Sequence, residues 1–438
     1  MTGLDIFIST EPFLIVPNPS HATFSNSWRT TNDINANWNT ILDRADTNDK
    51  WADMAQYGIN DPDCLEIGNG GLTDGECRAH FGIWSIVKAP LILGTNLSRL
   101  SPTQLAIISN KDLIDINQDD LGVQAKKLAV DGFPTPRFVG LAPCDTSNSE
   151  PGFNGVSIAS LQWTLQPTSV NSSAVMLKNT YTNRCLAISS YWNYPTVPLL
   201  FPCNTSDPSQ AWILPKETAN SIGGLLSLPA LLSGSPSALT VGDSTLYGSV
   251  HGGGDPSLPD SFYGLTNLTL SPYAPEPFCN NRGCDNYVPQ ASWYWSPRLG
   301  TLNLGHMSAN DYRCFGPNCY QLTGHPPTGA QYCLSHVLSY DANVGTDPNG
   351  SGKEGSDIWG GPLSGGNFVM GIVNRYNTQQ QISARWSWLE ATGVDDTTSF
   401  CVTELYSGNK LGANVGGVSL SVLPHDMLVL RLTPGTSC

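Results

Sequence analysis

Charge is what this chain has least of. Only 13% of its 438 residues are Asp, Glu, Lys or Arg, and 21 basic residues stand against 36 acidic ones. A formal net charge of −15 argues against nucleic acid or an anionic membrane as partner, since both select basic surfaces. No run of about 18 apolar residues occurs, so no membrane-spanning helix is expected. No Cys-x-x-Cys pair occurs, and no metal or organic cofactor is expected. The N-terminus, Met1–Ile8, is also no signal peptide. It has no basic n-region, and Asp5 interrupts its short apolar run.

Glycine (43), proline (32) and tryptophan (12) are plentiful, a loop-rich and β-rich composition rather than a helical bundle. A chain of 438 residues can bury two or three cores. Twelve cysteines, an even number, predict disulfides and an oxidising compartment. Five Asn-x-Ser/Thr sequons, at Asn96, Asn171, Asn204, Asn267 and Asn349, fit a secreted or vacuolar glycoprotein. A secreted composition without a secretion signal leads to the expectation that an N-terminal part of the product is missing from this chain.

Read in order, the first part alternates strands and helices. Strands are expected at Leu4–Ser9, Ser25–Arg29, Cys64–Ile67 and Ala89–Leu93. Helices are expected over Asn37–Asp43 and on to Ala55, at Asp74–Val87 and at Pro102–Ile108, with a short buried segment at Leu113–Asn117. Such alternation predicts an α/β domain with parallel strands. In such domains chemistry sits at the C-terminal ends of the strands. Four candidate residues lie beside strand candidates: Glu11, Arg29 and Asp33 at or just after strand ends, and Asp63 next to Cys64–Ile67.

The stretch Ser25–Ile34 groups an indole (Trp28), a guanidinium (Arg29) and a carboxylate (Asp33). Arg29 can hold sugar hydroxyls or a carboxylate in a fixed fork, and Asp33 can give or take a proton. Several neighbours read as structural. Trp28 is core, Asp61 shapes a turn at Pro62, Glu66 is a strand-end surface charge, and His80 is packed on the Asp74–Val87 helix.

From about Pro134 the composition changes. Leu141–Cys144 leads to Gln162–Leu165, and Leu200–Cys203 leads to Gln210–Leu214, with Asn183–Leu186 between them. The Cys-Leu, Cys and Gln-x-Trp arrangement resembles the ricin-B type β-trefoil repeat, which implies core tryptophans and a loop closed by a Cys185–Cys203 disulfide. A disulfide-stapled β insertion without sugar binding is the equal alternative. Cys279/Cys284 and Cys314/Cys319 are spaced for small disulfide loops, and 347–355 is a Gly/Ser-rich linker. Beyond it, Asn367–Asn374, Gln381–Trp388, Cys401–Tyr406, Val418–Val422 and Met427–Leu432 alternate at period two, which predicts an antiparallel β-sandwich.

The succession Trp28–Ile34, Asn60–Asp63, Leu65–Gly71, Ala89–Gly94 and Ile116–Asp119 resembles the α-galactosidase family of retaining glycoside hydrolases (glycoside hydrolase family 27-like, melibiase) over Thr2–Leu128. The likeness resumes over Asp357–Pro434, through Trp359–Gly365 and Pro424–His425. It implies that residues 1–126 are strands five to eight of a (β/α)8 TIM barrel. It further implies a ricin-B-like insertion at 134–271, a Cys/Gly/Pro-rich extension at 272–356 and a C-terminal β-sandwich at 357–438. A first sandwich strand is expected at Lys127–Val130.

By the same resemblance Asp33 is the acid/base, Arg29 and Asp63 bind the sugar, and Glu11 lies on the loop that senses the 2-substituent. The substrates implied are α-galactoside oligosaccharides or glycoconjugates. The family's nucleophile lies in a Lys-x-Asp segment on strand four, and this sequence contains no such segment. The chain is therefore expected to be inactive by itself. The family's Cys-Glu-Trp reads Thr10–Glu11–Pro12 here, and its Trp before Asn-Asp-Pro-Asp is Ile59. These departures leave α-N-acetylgalactosaminidase as an alternative. A non-catalytic, lectin-like glycan-binding protein is another. Unpaired edges of a half barrel also raise the expectation of a homo-oligomer.

Overall fold

A computed structural model describes residues 9–10, 25–49, 51–52, 55, 58–135, 137–143, 161–189, 197–214 and 354–438. It also describes the short strands 227–228, 237–241, 268–272, 293–296, 301–304 and 332–337. The chain divides into two units, residues 1–135 with 338–438, and residues 136–337.

In the first unit, β1 (Ser9–Thr10), β2 (Ser27–Arg29) and β3 (Ile59–Asp61) form a parallel sheet in that order. Ser9 pairs with Ser27, and Arg29 with Asp61. The expected strand at Cys64–Ile67 is corrected: the strand is β3, and only Leu65 makes a β-bridge, parallel, to Leu93. Pro62 has no N–H to give the ladder, and Asp63 turns the chain with φ +89°. The part of the Leu4–Ser9 expectation before Ser9 lies outside the described residues.

Among the described residues α1 (Trp38–Asp49) lies between β2 and β3, and α2 (Asp74–Ile86), α3 (Pro102–Ile108) and α4 (Lys111–Asn117) follow β3. The segment at Leu113–Asn117, expected only as buried, is thus the body of a helix capped by Asn110. The start of α2 is set by a capping box. Thr73 accepts from the Glu76 N–H, and Glu76 reaches back to the Thr73 N–H.

A seven-stranded sheet completes this unit. Its order is Lys410–Val415, Ser399–Glu404, Met427–Pro434, Phe368–Asn374, Ser356–Pro362, β4 (Lys126–Val130) and β5 (Phe133–Pro134). The expected strand at Lys127–Val130 is present as β4, paired antiparallel with Ser356–Pro362. The expected strand Gln381–Trp388 ends at Arg385, and Trp386–Trp388 is a 3-10 turn.

Period-two alternation puts apolar side chains on both faces of this sheet. Met427 and Val429, with Trp359, Val369 and Val373, pack on the α2 side against Ile83, Trp84 and Ile86. Leu430 and Leu432, with Ile358, Met370 and Ile372, face the opposite way. There they meet Ile382, Ala384, Val418 and Val422 of the two-stranded sheet Gln380–Arg385 and Gly417–Val422. Gly82 of α2 permits the close approach, since a Cβ there would stand 2.8 Å from Met427 Sδ.

Polar links join the same elements. Arg78 of α2 grips Asp426 with Nε at 2.9 Å and Nη2 at 2.5 Å. Asp46 of α1 accepts from Arg375 at 2.6 and 3.0 Å and also pairs with Lys127 of β4. A disulfide, Cys401–Cys438, ties the C-terminus to the Ser399–Glu404 strand.

The second unit holds an eight-stranded antiparallel sheet. Its order is Trp293–Ser296, Thr301–Leu304, Tyr332–Val337, Arg137–Pro143, Val197–Phe201, Cys185–Ser189, Val175–Asn179 and Trp163–Pro167. The Cys185–Cys203 disulfide closes the loop expected for it. Trp163 and Trp212 are both buried, and the Trp212 Nε1–H donates to the Leu186 carbonyl at 2.7 Å. The pairs Cys279/Cys284 and Cys314/Cys319 lie outside the described residues, as does most of the 347–355 linker.

Candidate active site

The candidate site is assembled where β2 and β3 end. Parallel pairing of Arg29 with Asp61 brings the residues that follow each strand side by side. Trp28, one residue back, points the other way and is fully buried. Its Nε1–H donates to Asn60 Oδ1 at 2.7 Å. Asn60 in turn donates to the Trp51 carbonyl at 2.7 Å and to Gln124 Oε1 at 2.9 Å. The indole is thus core that fixes the strand, and no platform for a sugar.

Arg29 then projects its guanidinium toward two carboxylates. Nη2 lies 2.9 Å from Asp33 Oδ1 and 2.6 Å from Asp63 Oδ2. The two acids differ sharply in surroundings. The Asp33 side chain is 96% exposed, the Asp63 side chain only 15%.

Asp63 is held on every side. Its N–H donates to Asp61 Oδ1 at 2.9 Å, which makes Asp61 the turn-shaping residue at Pro62. Asp63 Oδ1 accepts from the Cys64 N–H at 2.8 Å, and Oδ2 accepts from the Ile34 N–H at 2.8 Å. Its carbonyl accepts from Trp84 Nε1 at 2.7 Å. An αL-like φ for a non-glycine residue persists only where the surroundings over-determine it, and these five partners, Arg29 included, do so.

Asp33 is held by its backbone and open at its side chain. Arg44 of α1 donates to the Asp33 carbonyl from Nε at 3.3 Å and from Nη2 at 3.1 Å. Thr30 is fixed to the same helix, its hydroxyl donating to Asn48 Oδ1 at 2.6 Å. A carboxylate that is exposed, oriented by a cation and carried on an anchored loop can meet a ligand and exchange a proton with it.

Arg29, Asp33 and Asp63 are therefore brought together, and Glu11 lies outside the described residues. The holders Arg44, Asn48 and Asn60 were not anticipated. Arg44 sits eleven positions from the carbonyl it binds, and only the docking of α1 brings them into contact. The Asn-Asp-Pro-Asp run could have pointed to Asn60.

Neighbouring titratable groups fall into structural roles. His80 is fully buried and accepts the Glu66 N–H on Nε2 at 3.0 Å. Burial pulls its pKa down to about 3, so it is neutral. Cys64 and Cys77 are free thiols. Burial, then the Asp63 charge, pushes the Cys64 thiol up, away from the reactive thiolate. No cluster of His, Cys, Asp and Glu able to hold a metal occurs among the described residues.

Residues 16–119 match the family profile "Alpha galactosidase A", and residues 353–432 match "Alpha galactosidase C-terminal beta sandwich domain". The α-galactosidase of Oryza sativa subsp. japonica is 51% identical over 107 residues, 24% of this chain and 26% of that protein. The α-galactosidase of Cyamopsis tetragonoloba is 52% identical over 107 residues, 24% of this chain and 26% of that one. The crystal structure of α-galactosidase I from Mortierella vinacea aligns over 95% of this chain and 55% of its own, at 14% identity and a TM-score of 0.40. The chain thus spans about a quarter of the length of the curated relatives it matches. Over residues 16–119 and 353–432 the chain is thus similar to the α-galactosidase family of glycoside hydrolases.

Proposed function

We propose that this chain carries one side of the active site of a retaining α-galactosidase-like glycoside hydrolase. On this reading residues 1–126 are the last four βα units of a (β/α)8 barrel, and residues 357–438 most of its C-terminal sandwich. A ricin-B-like insertion lies between them. The observation that carries the proposal is the bridge of Arg29 to Asp33 and Asp63 at the strand ends.

A retaining enzyme uses two carboxyl groups roughly 5–5.5 Å apart, one as nucleophile and one as acid then base. Asp33, exposed and loop-borne, takes the second role. As acid it gives its proton to the glycosidic oxygen as the leaving group departs. As base it takes a proton from the water that attacks the glycosyl intermediate. Arg29 holds Asp33 in place and, with the rigid Asp63, offers fixed partners to ring hydroxyls as the sugar distorts. Glu11 is assigned to the loop that reads the 2-substituent, and so to the choice between galactose and N-acetylgalactosamine.

The nucleophile has no counterpart in residues 1–438. The chain by itself is therefore expected to show almost no hydrolysis of a nitrophenyl α-galactoside. Supplying an N-terminal segment with the Lys-x-Asp strand should restore turnover, which Asp33→Asn should remove. Turnover by the chain alone, abolished by Asp33→Asn, would defeat the assignment of the nucleophile to another segment. Restored turnover that survives Asp33→Asn would defeat the acid/base assignment.

A lectin-like role for the insertion draws support from the Cys185–Cys203 loop and the two buried tryptophans. Trp212 is core there, so any sugar contact falls to other residues.

A further inference from the structure

We infer that Asn96 and Asn204 are N-glycosylation sites. The argument rests on how asparagines are used in this fold. Several asparagines of this fold spend their side-chain NH2 inside the protein. Asn60 donates to the Trp51 carbonyl, Asn117 to Ala89, Asn110 to Leu405, and Asn374 to Thr378, Val422 and Leu423.

Asn96 and Asn204 do the opposite. Both are exposed, and neither NH2 donates to any group among the described residues. In each, the carboxamide oxygen is instead closed by the serine two residues on. Asn96 Oδ1 accepts from the Ser98 N–H at 3.0 Å and from Ser98 Oγ at 2.8 Å. Asn204 Oδ1 accepts from the Ser206 N–H at 3.1 Å and from Ser206 Oγ at 2.8 Å. The oxygen is bound inward and the nitrogen is left facing solvent, so a bulky substituent on that nitrogen breaks no contact.

The fold is thus compatible with transfer of a glycan from a lipid-linked oligosaccharide. The amide nitrogen forms a bond to the sugar C1, the C1–O bond to the lipid diphosphate breaks, and the amide proton leaves with the diphosphate. At Asn171, half-buried, only the Ser173 N–H closes on the carboxamide, and the inference is not extended to it.

The position of Asn96 also gives the glycan something to cover. It stands on the loop leaving the Leu93 segment, whose only β-partner among the described residues is Leu65. Ile92 is 53% exposed and Leu97 is 62% exposed beside it. A hydrated oligosaccharide over an apolar segment at a sheet margin blocks the association such surfaces invite.

The test is site mapping on the protein recovered from its secreting source. Peptide-N-glycosidase acting in oxygen-18 water converts a glycosylated asparagine to labelled aspartate. Labelled Asp at 96 and 204 is the expected result, and an unmodified asparagine at either position overturns the inference there. Asn96→Gln and Asn204→Gln should each migrate lighter by one glycan, and unchanged mobility of either variant would equally overturn it.

Discussion

At the level of single residues, the same chemistry takes opposite roles according to burial. Asp33 and Asp63 are both bound to Arg29, yet Asp33 is open to a ligand while Asp63 is used up holding the backbone. His80 is the clearest case of a residue silenced by burial. Its folded pKa of about 3 lies below the ordinary 6.5. The unfolded chain therefore takes up a proton as pH falls below 6.5, and the folded chain does not until about 3. Stability is unaffected above 6.5 and declines on the acid side of it, by ~1.4 kcal/mol per pH unit at most. His80→Gln, which keeps an acceptor for the Glu66 N–H, should flatten that decline in urea unfolding followed between pH 7 and 4. An unchanged slope would show that His80 is not the group responsible.

At the level of elements, α1 joins the candidate site to the C-terminal sheet. One end of the linkage is Arg44 on the Asp33 carbonyl. The other is a buried cluster of Asp46, Lys127, Asp357 and Arg375, in which two acids balance two cations. Burial alone would raise the Asp46 pKa, but Arg375 and Lys127 overcome it and bring it to about 2. Its contribution is therefore present above 3.8 and lost as pH falls toward 2. Asp46→Asn removes from Arg375 and Lys127 one of the two acids that pair with both of them among the described residues. Breaking such a cluster costs about 3–5 kcal/mol. Thermal unfolding of Asp46→Asn at neutral pH should show a loss of that size, and a variant as stable as the parent would mean the cluster is not the clamp described.

At the level of the whole molecule, the fold is interrupted in sequence but continuous in space. β4 and Ser356–Pro362 are neighbours in one sheet. The Asp131 N–H donates to the Ser356 carbonyl at 2.8 Å, across 225 residues of chain. Asp131 and Ser356 of the first unit are thus adjacent although the whole second unit lies between them in sequence. Replacing residues 136–353 with a short Gly/Ser linker should leave a cooperatively folding first unit, seen as one sharp near-UV circular dichroism transition. Loss of that transition would mean the second unit is needed for the first to fold.

The sequence alone carried most of the period-two strands of the C-terminal sheet, the helices around Trp38–Asp49, Asp74–Ile86 and Pro102–Ile108, and the return of sandwich sequence after the insertion. These are legible because one buried face imposes its period on the residues. The strand Lys410–Val415 escaped notice because it lies at the sheet margin with no residue buried, so no face marks its pattern. The strand ending at Asp61 was misplaced because the turn after it depends on Asp61, Arg29 and Ile34 together. Of the candidate site, the sequence named Arg29, Asp33 and Asp63, but not which acid is open and which is locked. That difference, and the grip of Arg44 on the Asp33 loop, was decided only by the tertiary structure. Burial and hydrogen-bond partners depend on segments far apart in the chain, and local sequence carries no trace of that distance.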